Sequence, residues 1–183
     1  LEKVNTIADG TAVKTPGTDI FPYLKENLDD IITVGDEELV VSFLDMVENH
    51  KMVVENSGLL TVAALKHLDV KNKKVVAILS GGNMDVITMS SVVQQGLVLR
   101  DRIFSVSVLL PDKPGELSRV ADVIAKQNGN VIKLEHNQFV SINRNAEVEL
   151  RITMEAFGTD HKNQIISSLQ QNGYQPKLIR ASI

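Results

Sequence analysis

Cysteine is absent from all 183 residues, which excludes disulfide bonds, thiolate metal sites and a cysteine nucleophile. A cytoplasmic setting is the expectation compatible with that absence. No apolar run approaches the roughly 20 residues that a membrane-spanning helix needs. The opening LEKVNTIADG does not read as a secretion signal. Residue 1 is Leu rather than an initiator methionine, so the chain reads as one that starts at an internal point of a longer product. A one-sided charge is missing too: 19 basic and 23 acidic residues give a net −4, with no general attraction to nucleic acid or anionic lipid. That charge is uneven, with 9 basic against 14 acidic side chains in residues 1–100 and 10 against 9 in residues 101–183. The shift fits two modules.

What is present is patterned. Asp36 to Asn49 carries Leu39, Val40, Phe43, Leu44 and Val47 at spacings of three and four, behind acids that favour the positive end of a helix. Asp30 to Gly35 reads as a short strand, and Ser57 to Leu68 as a second helix capped by Ser57 or Asn56. Five consecutive apolar residues, Val75 to Leu79, suggest a strand covered on both faces, as in a parallel sheet. Gly81 and Gly82 break it, and Met84 to Leu97 follows as a helix. A charged Leu99-Arg-Asp-Arg102 marks the crossing between modules. Beyond it the elements run strand (Ile103–Leu110), helix (Glu116–Gln127), strand (Val131–Val140), polar turn (Ile142–Ala146), strand (Glu147–Ala156), helix (Asp160–Asn172) and strand (Pro176–Ile183). That order, βαββαβ, is the ferredoxin-like α+β pattern, in which one sheet face is buried under two helices.

Ser80-Gly81-Gly82-Asn83 is the most informative motif of the first module. A buried parallel strand delivers its C-terminal end to the edge where α/β folds bind ligands. The glycines let backbone approach a flat or anionic group, and the serine hydroxyl donates or accepts. In isolation such a motif is more often a tight turn than a cofactor site. Together, Thr6-Ile-Ala-Asp-Gly-Thr-Ala-Val-Lys-Thr-Pro-Gly17, Val53-Val-Glu-Asn-Ser-Gly58 and Val76-Ala-Ile-Leu-Ser-Gly-Gly-Asn83 resemble the threonine and serine dehydratases in content, order and spacing. Those are pyridoxal phosphate (PLP) enzymes of the tryptophan-synthase-β-like group, some of which end in one ACT domain. The resemblance implies an α/β fragment of a PLP fold-type II domain over residues 1–100. A ferredoxin-like ACT regulatory domain would follow over 101–183. Ser80 would then sit at the pyridine nitrogen of the cofactor. A neutral hydroxyl does not hold a proton there as a carboxylate would, so the ring is a weaker electron sink and the β-hydroxyl is expelled. Gly81, Gly82 and Asn83 would shape the pocket wall, with Glu55 near it. The implied reaction of the full-length parent converts L-threonine to 2-oxobutyrate and ammonia.

A PLP ammonia-lyase also needs a lysine to anchor the cofactor and a glycine-rich loop for its phosphate. The family carries both upstream, the lysine in a serine-phenylalanine-lysine motif, and neither motif occurs here. None of Lys3, Lys14, Lys25 or Lys51 has that context, so no catalytic residue is assigned and the chain alone is expected to be inactive. His50, His67, His136 and His161 have no spacing suited to a shared metal, and Asp9 reads as a turn former.

In the second module Pro111-Asp112-Lys113-Pro114-Gly115-Glu116-Leu117 joins a strand to a helix N-terminus, whose amides attract a carboxylate. Asn130 opens the next strand. The family resemblance makes these residues an effector site for an amino acid, with isoleucine or valine the first choices, formed where the ACT domains of a homo-oligomer meet. Asn128 departs from the family's frequent glycine, and Gly129 is expected to serve the turn instead. A serine-preferring dehydratase and a non-catalytic binding or dimerising module are the alternative readings. An RNA-binding domain would want exposed aromatics and a basic sheet, whereas the second module has Phe104, Phe139, Phe157 and Tyr174 and a charge near zero.

Overall fold

A computed structural model describes residues 2–137 and 148–181. The chain divides into two compact units, Leu1–Gly96 and Leu97–Ile183, the division falling in the last turns of a helix just ahead of the LRDR segment.

The first unit is built on α2 (Asp36–Asp45), which is preceded by α1 (Phe21–Asn27) and continued by one wide turn, Met46–His50. Three acids open α2, and the Glu38 carboxylate accepts the Gly35 N–H at 2.9 Å, satisfying one free end of the helix. Lys51, at φ 58°, stops the chain after the wide turn. The apolar face of α2 buries Leu39, Val40 and Phe43 against Ala8, Val54, Leu59, Ala63 and Val92. Val92 belongs to α4 (Val86–Leu99), whose N-terminus is capped by Asp85: its carboxylate accepts the Ile87 and Thr88 amides at 2.9 and 3.0 Å. The Thr88 hydroxyl bonds the same carboxylate, and these bonds hold Asp85 below the usual carboxylate range.

Two expectations for this unit change. The helix predicted over Ser57–Leu68 is broken into a tight turn (Asn56–Leu59), a short α3 (Leu60–Ala64) and another tight turn (Leu65–His67). Neither Ser57 nor Asn56 caps it; the Asn56 amide instead donates to the Ile7 carbonyl. The strands predicted at 30–35 and 75–79 form no ladder among the described residues. Nor is the second one covered on both faces, since Val76 is 90% and Ile78 70% exposed. A strand interior to a parallel sheet takes its hydrogen bonds from its neighbours, and no other strand exists in the described residues of this unit. One side-chain bond, from the Thr61 hydroxyl to the Ile78 carbonyl at 2.9 Å, holds that stretch. Amide exchange should therefore be faster over residues 73–83 than over the strands of the second unit. Equal or slower exchange there would mean that the segment pairs with something in solution.

The second unit contains β1 (Ile103–Leu110), α5 (Glu116–Lys126), β2 (Asn130–Asn137), β3 (Val148–Glu155), α6 (Thr159–Gln171) and β4 (Lys177–Ile179). The expected strand and turn at 138–147, and the last two residues, 182–183, of the expected final strand, lie outside the described residues. The sheet order is β2-β3-β1-β4 with every pair antiparallel, and β1 meets β3 from Ile103↔Glu155 to Leu110↔Val148. Strand alternation sends Phe104, Val106, Val108 and Leu110 to the same face as Val148, Leu150, Ile152 and Met154. Val120, Val123 and Ile124 of α5, with Ile165 and Leu169 of α6, close over them. Each such side chain contributes about 1.5–3 kcal/mol on burial. On the opposite face the buried hydroxyls of Ser105 and Thr153 satisfy each other at 2.7 Å.

His161 joins the two helices of this unit. Its Nδ1 accepts the Phe157 N–H at 3.0 Å and its Nε2 faces the Gln127 carbonyl at 2.5 Å, so the proton sits on Nε2. The end of α5 differs from expectation. Asn128 itself takes the left-handed conformation, φ 58°, while Gly129 is needed for space. A Cβ on Gly129 would stand 2.7 Å from Ile124 Cγ2 and 3.1 Å from Ile165 Cδ1. Gly129→Ala should cost about 1–3 kcal/mol through overpacking. Asn128→Gly should cost little, because glycine adopts that conformation freely. Thermal unfolding of both variants checks this, and the reverse ranking would contradict the assignment.

Candidate cofactor wall and effector cleft

Three segments far apart in sequence meet in the first unit. Thr6 anchors the first by donating to Asp36 Oδ1 at 2.6 Å, with the Ile7 amide on Oδ2 at 3.3 Å. Asp9 accepts the Gly10 amide at 2.9 Å within a tight turn, so its work is local. The second segment, Val53–Gly58, is tied to the first by the bond from Asn56 Nδ2 to the Ile7 carbonyl, 3.0 Å long. A Cβ on Gly10 would stand 2.9 Å from Ser57 Oγ, so the two segments touch. The third, Ser80–Asn83, lies on the second: the Glu55 amide donates to the Gly81 carbonyl at 3.4 Å, and the Asn83 amide to Glu55 Oε2 at 3.3 Å.

Glycine makes that stacking possible. Gly81 has φ 83°, and a Cβ there would stand 2.3 Å from Glu55 Oε1. A Cβ on Gly58 would stand 2.2 Å from the Ser80 carbonyl oxygen. Glu55 therefore supports the turn from beneath, whereas Ser80, Gly81, Gly82 and Asn83 are exposed on its outer side. Leu79 and Met84, flanking the turn, pack against the core. The Ser80 hydroxyl makes no hydrogen bond among the described residues, and the buried Asn56 Oδ1 and Ser57 Oγ have no partner either. Sequence reading gives Asp36 only as a helix-opening acid and misses its bonds to Thr6 and Ile7, as it does the roles of Thr61 and Asp85. The capping pattern Asp-x-x-Thr at 85–88 was a visible signal for the last.

In the second unit the loop Asp112–Leu117 lines a cleft of about 320 Å³ with His136, Val148 and Leu150. Gly115, at φ 92°, precedes α5, and no side chain caps the first turn of that helix. Asn130 is elsewhere. It pairs with Glu155 at the end of the sheet where β1 begins, and its amide donates to Glu155 Oε2 at 2.8 Å. The loop follows the other end of β1, so within one copy the two are separated by about seven strand residues, or roughly 23 Å. Among the described residues no group of three or more His, Asp or Glu could hold a metal ion, and no helix is long and apolar enough to cross a membrane.

Residues 1–81 match the family model of pyridoxal-phosphate dependent enzymes. An L-threonine ammonia-lyase from Geobacter sulfurreducens is 37% identical over 171 residues, which are 92% of this chain and 42% of that protein. The L-threonine ammonia-lyase of Thermotoga maritima is 33% identical over 175 residues, 95% of this chain and 44% of its own length. A solved serine racemase from Dictyostelium discoideum shares 39% identity over 46% of this chain and 28% of its own, with a TM-score of 0.40. The chain thus spans less than half the length of the curated relatives it resembles.

Pyridoxal phosphate is the cofactor of the matched family. The Ser80–Asn83 turn fits such a group: it offers a free hydroxyl and two residues without side chains on an exposed face, held from below by Glu55.

Proposed function

We propose that this chain is the C-terminal part of a PLP-dependent threonine ammonia-lyase, and that residues 101–183 are a ferredoxin-like ACT domain that binds an amino-acid effector. The packing of Thr6–Thr11 on Val53–Gly58, and of Val53–Gly58 under the exposed Ser80–Asn83 turn, carries the catalytic half of this reading. The identity to two L-threonine ammonia-lyases supports threonine as substrate. When bound, pyridoxal phosphate supplies the electron sink that lets threonine lose its α-proton and β-hydroxyl as water; the released aminocrotonate then takes up one water to give 2-oxobutyrate and ammonia.

Ser80 would present its hydroxyl to the ring nitrogen as a neutral partner. Gly81 and Gly82 would let the backbone lie close to the ring, and Asn83 would border it. Glu55 keeps the turn in place by accepting the Asn83 amide. In the full-length enzyme, Ser80→Asp should lower kcat by about 100-fold or more, the scale of a misplaced proton in acid–base chemistry. Ser80→Thr, which keeps a hydroxyl, should stay within about tenfold. Near-normal turnover of Ser80→Asp would remove Ser80 from the ring nitrogen.

The regulatory half rests on the order βαββαβ, the antiparallel order β2-β3-β1-β4 and the cleft at Asp112–Leu117. The first-turn amides of α5 would receive an effector carboxylate. Asn130 would come from a second copy, because in its own copy it stands at the far end of the sheet. Isoleucine and valine are the effectors proposed, acting through a homo-oligomer.

A further inference from the structure

A glycine that follows aspartate or asparagine has no side chain to hinder its nitrogen from attacking the preceding side-chain carbonyl carbon. The sequence holds three such pairs, Asp9-Gly10, Asn128-Gly129 and Asn172-Gly173. The fold treats them differently.

Each asparagine pair closes a helix. The Gly129 amide donates to the Ile124 carbonyl at 3.0 Å and the Asn128 amide to the Ala125 carbonyl at 2.9 Å, the paired bonds of a left-handed helix stop. At the end of α6 the Gly173 amide donates to the Gln170 carbonyl at 3.0 Å and the Tyr174 amide to the Leu169 carbonyl at 3.1 Å. The Asn172 side-chain amide is engaged as well, donating to the Ser168 carbonyl at 2.8 Å. In both pairs the glycine N–H is turned back towards its helix, and attack would break the stop.

Asp9-Gly10 is held in the opposite way. The Gly10 amide faces the side chain of the residue before it, 2.9 Å from Asp9 Oδ1, which puts Asp9 Cγ beside the nitrogen. Both residues are exposed. Packing demands glycine here, because a Cβ would stand 2.9 Å from Ser57 Oγ. The contact that seats the first segment on the second therefore leaves an unhindered nitrogen next to a carboxyl group.

We propose that Asp9-Gly10 is a site of spontaneous aspartate isomerisation, and that the reaction slackens the first segment where it touches the second. The Gly10 nitrogen bonds to Asp9 Cγ as the carboxyl C–OH bond breaks; the hydroxyl and the amide proton leave as one water. The product is a five-membered imide, which a second water opens. Cleavage of the new N–Cγ bond restores aspartate. Cleavage of the original bond to the main-chain carbonyl leaves isoaspartate, with the backbone routed through Cβ and Cγ. The main chain is then longer by one carbon inside a turn closed by two bonds of 3.0 Å, from the Thr11 amide to the Ala8 carbonyl and from the Ala12 amide to the Asp9 carbonyl. Gly10 is carried off Ser57, the neighbour of the Gly58 that lies beneath Ser80. None of this depends on which reaction the full-length enzyme performs.

The test is to age the 183-residue chain at neutral pH, folded and in urea, and to map isoaspartate by fragmentation mass spectrometry and isoaspartate-specific methylation. Deamidation, which replaces NH2 by OH, is read from the mass of the peptides that hold Asn128 and Asn172. Those two sites should react at least about tenfold more slowly in the folded chain, because local opening must come first, whereas Asp9 should stay within about threefold of its unfolded rate. Equal slowing at all three sites, or no isoaspartate at Asp9 in the folded chain, would overturn the proposal. Asp9→Glu, whose attack would need a six-membered ring, should abolish the product at this position. Asp9 is exposed, so that variant keeps the fold. In the aged chain the amide NMR signals of Ser57 and Gly58 should be displaced from those of fresh protein. Unchanged signals in a chain that carries isoaspartate would overturn the slackening.

Discussion

Mixed with pyridoxal phosphate and L-threonine, this chain alone is expected to release 2-oxobutyrate no faster than free pyridoxal phosphate does. The cofactor needs a lysine within covalent reach while its ring lies on the wall that Ser80 belongs to. The close neighbours of the Ser80–Asn83 turn are Val53, Glu55 and Gly58, none of them a lysine. Lys51, two residues from Val53 in sequence, donates instead to the Glu48 carbonyl at 2.5 Å. A side chain fixed in that way would have to release its bond and cross the second segment to serve. The family's lysine motif and glycine run are both missing from the sequence. The assay is a coupled measurement of 2-oxobutyrate with the free cofactor as reference. Turnover clearly above that reference would require an anchoring lysine within these 183 residues, and the assignment of this chain as one wall of the site would fall.

The second unit was nearly all legible from sequence and the first was not, for a physical reason. In the second unit, residues that bury each other come from the same stretch of chain. The alternation over Ile103–Leu110 and Val148–Glu155, and the spacing of Val120, Val123 and Ile124, report a core that those elements complete among themselves. Strand periodicity is then a faithful guide. Val75–Leu79 has the composition of an interior strand, but composition states only what a segment needs and not whether its neighbours are there. Val76 and Ile78 stand exposed. Asn56 shows a different limit. Its position before an apolar run reads as a cap, yet its amide is drawn to Ile7, 49 residues away, by a tertiary arrangement that local sequence does not encode. The family resemblance grouped Ser80–Asn83 with Glu55, and Glu55 does contact the Gly81–Asn83 turn. What it left unstated is that Glu55 lies beneath Gly81, on the side of the turn away from its exposed face. The same limit applies to Asp112–Leu117 and Asn130. The resemblance joined them, and only strand register reveals that one copy holds them at opposite ends of the sheet.

Gly58→Ala is expected to cost the full-length enzyme about 100-fold in kcat/KM, with its cofactor bound more weakly. The added Cβ would lie 2.2 Å from the Ser80 carbonyl oxygen, 3.1 Å from the Ser80 carbonyl carbon and 2.9 Å from Val54 Cγ1. Val54 is buried in the core, and the Ser80 atoms are backbone, so no flexible side-chain tip can swing away. Relief requires the Ser80 turn to lift by about 1 Å, since carbon and oxygen in contact stay more than about 3 Å apart. That movement would displace the hydroxyl proposed for the ring nitrogen, and a shift of about 1 Å in a catalytic group costs about 100-fold. The overpacking itself should take about 1–3 kcal/mol from stability. Gly17→Ala is the matched control: nothing stands within 4 Å of a Cβ there, so activity and melting temperature should be unchanged. Absorbance titration of the cofactor, steady-state kinetics and thermal melting separate the two effects. A folded Gly58→Ala enzyme with normal cofactor affinity and turnover would show that the position of Ser80 is not what the wall contributes.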